Sequence, residues 1–77
     1  MKSAIAVKCD QRGWPVAIRW RSRLAPVRVL DAWEDVGAWW AGEGEKVFFR
    51  VELRSGPLME LYRDTATGGW QVYRVYD

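Results

Sequence analysis

The chain has no histidine and a single cysteine, Cys9, among its 77 residues. Without histidine, the side chain that most often serves as general base or metal ligand is missing. Serine–histidine–aspartate and cysteine–histidine arrangements are therefore excluded. One cysteine cannot close an intramolecular disulfide, and no cysteine–histidine group is available for zinc. This usage points to a reducing compartment, and the expected localisation is cytoplasmic. Long apolar runs are also lacking. None approaches the roughly 20 residues of a membrane-spanning helix, and the apolar stretch from Ala4 to Val7 is too short for a signal-peptide core. No membrane partner is expected.

Hydroxyl side chains are few. Ser3, Ser22, Ser55, Thr65 and Thr67 fall mainly in turn-like segments or at the terminus, where hydroxyls stabilise local backbone. The carboxylate pairs Glu34–Asp35 and Glu43–Glu45 lack the ligand spacing of a calcium loop. Gly42-Glu43-Gly44 lacks the Lys-Ser/Thr of a phosphate loop, and its charge would repel phosphate. The expectation is a protein that is not an enzyme and uses no metal or cofactor.

What is abundant is tryptophan. Trp14, Trp20, Trp33, Trp39, Trp40 and Trp70 stand beside three tyrosines and two phenylalanines. A chain this short buries a small fraction of its surface, and aromatic rings of roughly 150–250 Å² let few residues fill a core. Charge is uneven under a net +2. Residues 1–30 carry seven bases against Asp10 alone, and residues 31–45 carry five acids and no base. Nine of the twelve bases are arginine, the side chain suited to planar, bidentate and stacked contacts. A basic region of this kind fits nucleic acid or an acidic protein partner.

Hydrophobicity alternates with period two along most of the chain, which argues strands. Ala4 to Cys9 places Ile5, Val7 and Cys9 on one face. Asp10-Gln11-Arg12-Gly13 reads as a turn. Trp14, Val16, Ile18 and Trp20 then alternate with Pro15, Ala17, Arg19 and Arg21, with Pro15 at a strand start or edge. Arg21 to Leu24 reads as a second turn. Ala25 to Trp33 places Val27, Val29, Asp31 and Trp33 on one side. Residues 30–40 also fit helical spacing, but Gly37 and the tryptophans favour extended chain with a bend near Asp35–Gly37. Ala41 to Glu45 is a glycine-rich acidic loop. Lys46 to Arg54 sets Val47, Phe49, Val51 and Leu53 against Phe48, Arg50, Glu52 and Arg54. Leu58 to Arg63 and Trp70 to Tyr76 return after the turns at Ser55-Gly56-Pro57 and at residues 64–69.

Short connections favour sequential antiparallel pairing. The expected fold is all-β: an antiparallel meander of five to seven strands curled into a small barrel or open roll, one domain over residues 1–77. The expected core comprises Val7, Trp14, Val16, Ile18, Val27, Val29, Trp33, Trp40, Val47, Phe49, Val51, Leu53, Leu61, Trp70, Val72 and Val75.

Two binding surfaces follow. Small β-barrels hold single-stranded nucleic acid with a basic groove and stacking aromatics. Phe48, Arg50 and Arg54 on one stripe, with Arg19, Arg21 and Arg23 beside Trp20, have that chemistry, so Arg19, Arg21, Phe48, Arg50 and Arg54 are the nucleic-acid candidates. The plain alternative is a solvated face of cross-strand pairs, such as Arg50 or Arg54 with Glu60. Interfaces between proteins enrich Trp, Tyr and Arg. Adjacent Trp39 and Trp40 point to opposite sides of an extended chain, so Trp39, Trp40 and Tyr62 are the protein-interaction candidates.

The ordered series Gly37-Ala38-Trp39-Trp40, Gly42-Glu43, Phe49-Arg50-Val51-Glu52, Glu60-Leu61-Tyr62-Arg63-Asp64, Gly69-Trp70 and Val75-Tyr76-Asp77 resembles the C-terminal module of ImuB proteins. These are the inactive Y-family polymerase relatives of bacterial SOS mutagenesis. It is also similar to short stand-alone bacterial proteins of unknown function that share the module. The resemblance spans roughly residues 14–77. It implies a non-catalytic accessory module near translesion DNA synthesis, with a protein partner in an error-prone DNA polymerase complex. It brings no active-site residues. The other reading is direct binding of single-stranded DNA.

Overall fold

The computed structural model describes residues 3–35 and 44–76. Seven strands are β1 (Ser3–Ala4), β2 (Val7–Cys9), β3 (Pro15–Trp20), β4 (Arg23–Asp35), β5 (Lys46–Leu53), β6 (Leu58–Asp64) and β7 (Trp70–Tyr76). Every pairing is antiparallel, and the sheet order is β1-β7-β6-β5-β4-β3-β2. No helix occurs among the described residues. The meander expected from period-two patterning is therefore present, curled into a half-barrel.

The N-terminal segment links the two edges of this sheet. β1 pairs with β7 at Ser3↔Val72, while β2 pairs with β3 at Val7↔Ile18. Between them the Ile5 amide donates to the Trp70 carbonyl (3.1 Å), and the Arg19 amide donates to the Ala6 carbonyl (3.0 Å). One stretch of chain thus satisfies edge groups on both sides, which would otherwise invite pairing with other chains. The expected single strand from Ala4 to Cys9 is two strands for this reason. β4 is also shared: residues up to Pro26 pair with β3, and residues from Val27 onward pair with β5. Proline cannot donate to a ladder, and the strand changes partner beside it.

Three register shifts curl the sheet. Lys8 and Cys9 face Ala17 and Pro15, leaving Val16 as the extra residue. Val29 and Asp31 face Val51 and Arg50, leaving Leu30 over. Leu61 and Glu60 face Val72 and Arg74, leaving Tyr73 over. An extra residue in one strand sharpens local bend and twist. All three are exposed: Val16 39 %, Leu30 44 % and Tyr73 51 %.

These bulges correct the expected core. Val16 turns outward because it is the unpaired residue opposite β2. Past Leu30 the alternation resumes one residue late, so Ala32 sits opposite Phe49 while Trp33 sits opposite Phe48. Trp33 therefore belongs to the opposite face from Val27 and Val29. Val75 is also exposed, two residues beyond Tyr73. Trp40 lies outside the described residues. The buried centre is Ile18, Phe49, Val51, Leu53, Met59 and Leu61, with Val7, Trp14, Val27, Val29, Val47, Trp70 and Val72 packed against it. Trp14 meets Phe49 edge-on at 5.6 Å, and the Trp70 ring lies 5.5 Å from Phe49. Since Val16 faces outward with 39 % of its surface exposed, Val16→Thr is expected to change stability by no more than about 0.5 kcal/mol. A denaturant titration checks this; a loss of a buried-valine size would return Val16 to the core.

The turn at residues 10–13 forms as read. One Asp10 carboxylate oxygen accepts from the amides of Arg12 and Trp14, both at 2.9 Å, and Gly13 adopts a φ of 84°. The Trp14 amide bond holds the Asp10 carboxyl below the usual range for aspartate. Cys9, next to it, is half-buried, and burial pushes its thiol up.

Candidate nucleic-acid interface

The sheet has two faces, and the candidate residues divide between them. On the face away from the core, a row of rings crosses four strands. Trp33 of β4 stacks on Phe48 of β5 at 5.4 Å and 3°. Phe48 also meets Tyr62 of β6 at 5.4 Å and Tyr73 of β7 at 5.1 Å. Phe48 is only 6 % exposed and Tyr62 4 %. The Tyr62 hydroxyl donates to Gln71 Oε1 at 2.7 Å. Both rings are buried parts of this row, and little of either is exposed in this arrangement. The stripe Phe48–Arg50 alternates outward from the core, but the face it reaches is itself covered.

Arg50 is committed as well. Its Nε and Nη2 donate to Glu60 Oε2 at 3.2 and 3.0 Å, and the Tyr76 hydroxyl donates to the same oxygen at 3.2 Å. The plain pairing of Arg50 with Glu60 thus holds, with the Arg50 side chain still 44 % exposed. Glu60 is a buried charged residue at 4 % exposure, and its partners are what make that burial tolerable. Arg28 pairs with Glu52 at 2.6 Å, and Arg12 with Asp10 at 3.4 Å. Trp39 and Trp40 lie outside the described residues.

The remaining candidates come together at one end of the sheet. Arg19 lies one residue before the end of β3, and Arg21 forms the hairpin loop with Ser22 between Trp20 and Arg23, which face each other. The β5–β6 turn, which carries Arg54, is tied alongside by the Arg54 amide, which donates to the Pro26 carbonyl at 3.1 Å. Between hairpin and turn lies an open cleft of about 570 Å³. Trp20, Leu24, Pro26 and Pro57 form its apolar walls, and Arg21, Arg23 and Arg54 line it with charge. Leu24 is 57 % exposed. Among the described residues, no ion pair or side-chain hydrogen bond engages Arg19, Arg21, Arg23 or Arg54. Arg21 rests over the Trp20 ring at 5.5 Å.

Two features of this end work against folding. Like charges held together repel, and both loop residues lie in the left-handed region, Arg21 at φ 51° and Ser22 at φ 65°. A two-residue hairpin loop needs positive φ at both positions, which Asn-Gly supplies cheaply and Arg-Ser does not. Replacing Arg21-Ser22 by Asn-Gly is expected to stabilise the domain by about 1 kcal/mol. Thermal unfolding reads this, and no gain would mean that the loop is unstrained. Such strain and charge crowding concentrate at binding sites.

Arg23 and Trp20 stand beside Arg19 and Arg21 in the sequence reading without entering its site list, and Leu24 and the two prolines are absent from it. The available signal was Leu24 itself, an apolar residue in an Arg-Ser-Arg turn. No group of three or more acidic, histidine or cysteine side chains able to hold a metal occurs among the described residues. No helix among the described residues is long and apolar enough to cross a membrane.

Residues 2–77 match the model of a family described as a domain of unknown function, DUF6504. No curated protein and no solved structure matches the chain.

Proposed function

For a chain that belongs to the DUF6504 family, whose description names no activity, we propose a non-catalytic interaction module that docks an anionic macromolecule through its arginine end. The observation that carries this reading is the cluster of Arg21, Arg23 and Arg54, without ion pairs among the described residues, around an apolar cleft. Elsewhere Arg12, Arg28 and Arg50 have carboxylate partners, while Arg63 and Arg74 lie over the Trp70 and Tyr73 rings. Uncompensated arginines beside exposed apolar surface are suited to a partner that supplies the missing charge.

Retention on a heparin column tests the reading. The triple variant Arg21→Gln/Arg23→Gln/Arg54→Gln should elute at clearly lower salt than the parent. Lys8→Gln/Arg12→Gln/Arg74→Gln removes the same charge from elsewhere and should elute close to the parent. Equal shifts for the two variants would show retention by net charge alone and would defeat the reading.

The ordered tryptophan motifs resembling the ImuB module support a wider setting, an accessory role in bacterial translesion DNA synthesis. That setting predicts that the tagged protein co-purifies with an error-prone DNA polymerase complex after DNA damage, and that nuclease does not release it. Loss of the polymerase on nuclease treatment would place the contact on nucleic acid instead.

A further inference from the structure

The cleft is built for a polymer that offers flat rings and phosphates together. We infer that its ligand is single-stranded nucleic acid, with one base against Trp20 and Leu24 and the flanking phosphates on Arg21, Arg23 and Arg54. This rests on the anionic-partner reading above and deepens it by naming the partner.

An acidic peptide is the rival occupant. An extended peptide gains most of its affinity by adding a strand to a free edge. On the cleft side that edge is short: β5 pairs with β4 from Val27 onward, and the Pro26 carbonyl accepts from the Arg54 amide, which leaves Arg23–Ala25 of β4 without a neighbouring strand there. Three residues offer a peptide little ladder. A single strand of nucleic acid needs no edge. It needs exposed apolar surface for stacking and cations spaced around it. The cleft has Leu24 at 57 % exposure, Trp20 in its wall, and three arginines with no acid to neutralise them. Arginine also stacks and forks onto phosphate where lysine supplies only a point charge. The other aromatic surface does not compete for this role, because Phe48 and Tyr62 are buried.

The test is fluorescence anisotropy of the full chain with a labelled deoxythymidine oligonucleotide, across a salt series. Affinity for single strands falls with salt at a log–log slope of about −0.7 per phosphate neutralised. Three arginines give a slope of about −2, or roughly a 20-fold loss between 50 and 200 mM salt. In Arg23→Gln/Arg54→Gln the slope should shrink to about −0.7. Circular dichroism and thermal unfolding confirm that this surface variant is folded. Leu24→Ser keeps the charges, so it should weaken binding and leave the slope unchanged. Duplex DNA of equal length should bind more weakly than the single strand.

Several results would overturn the inference. One is oligonucleotide binding that survives Arg23→Gln/Arg54→Gln with its slope intact. A second is duplex binding as tight as single-strand binding. A third is no oligonucleotide binding at 20 mM salt together with arginine-dependent binding of a polyglutamate peptide, which would leave the anionic-partner reading standing. Failure of both probes would remove that reading as well.

Discussion

Phe49→Ala is expected to cost about 3–5 kcal/mol and to lower the melting temperature by no less than about 12 °C. Phe49 is 2 % exposed and lies against Trp14 and Trp70. Its strand neighbours on the same face, Val51 and Leu53, are also buried. Truncating the ring removes apolar burial and leaves a cavity that the neighbouring indoles cannot fill, because Trp14 is held by the Asp10 turn and Trp70 by β7. The whole domain has only about 4–12 kcal/mol to lose at ordinary stability per residue. The variant should therefore be partly unfolded near physiological temperature. Urea titration followed by tryptophan fluorescence reads the change. A loss below about 1 kcal/mol would mean that the core lies elsewhere.

The second large effect is an asymmetry around Glu60. Arg50→Met should cost about 3 kcal/mol, because it leaves a buried carboxylate with the Tyr76 hydroxyl as its remaining described partner. Glu60→Gln should cost only about 1 kcal/mol. Its partner's side chain is 44 % exposed against 5 % for Glu60, so the orphaned guanidinium is still reached by water. The double change Arg50→Met/Glu60→Leu removes both charges and should recover most of the loss. Equal costs for the two single changes would mean that Glu60 is solvated in the folded state. The same result would reopen Arg50 as a group available to a ligand.

The strands could be read from the sequence because period-two alternation is a local property. Lys46 to Leu53 shows it cleanly, and all eight residues are in β5. What alternation does not report is an extra residue. Val16 reads as a core position by alternation, yet it is the unpaired member of a bulge and faces outward, as Leu30 and Tyr73 are in theirs. Alternation also assigns two faces without saying whether the second is covered. Phe48 and Arg50 were correctly set opposite Phe49 and Val51, but the ring row buries Phe48 and Glu60 holds Arg50. The binding end was half legible. Arg19, Arg21 and Arg54 were singled out by charge. Their meeting depends on a backbone bond between Arg54 and Pro26, residues 28 positions apart, and no local pattern encodes that.

The measurement closest to the central claim is a ¹⁵N–¹H NMR titration of the full chain with an oligonucleotide of thymidines at low salt. The account predicts shifts concentrated at Trp20, Arg21, Arg23, Leu24 and Arg54, including the Trp20 indole, with the amides of Trp33, Phe48 and Tyr73 unmoved. Shifts centred on Trp33 and Tyr73, with the arginine end silent, would contradict it.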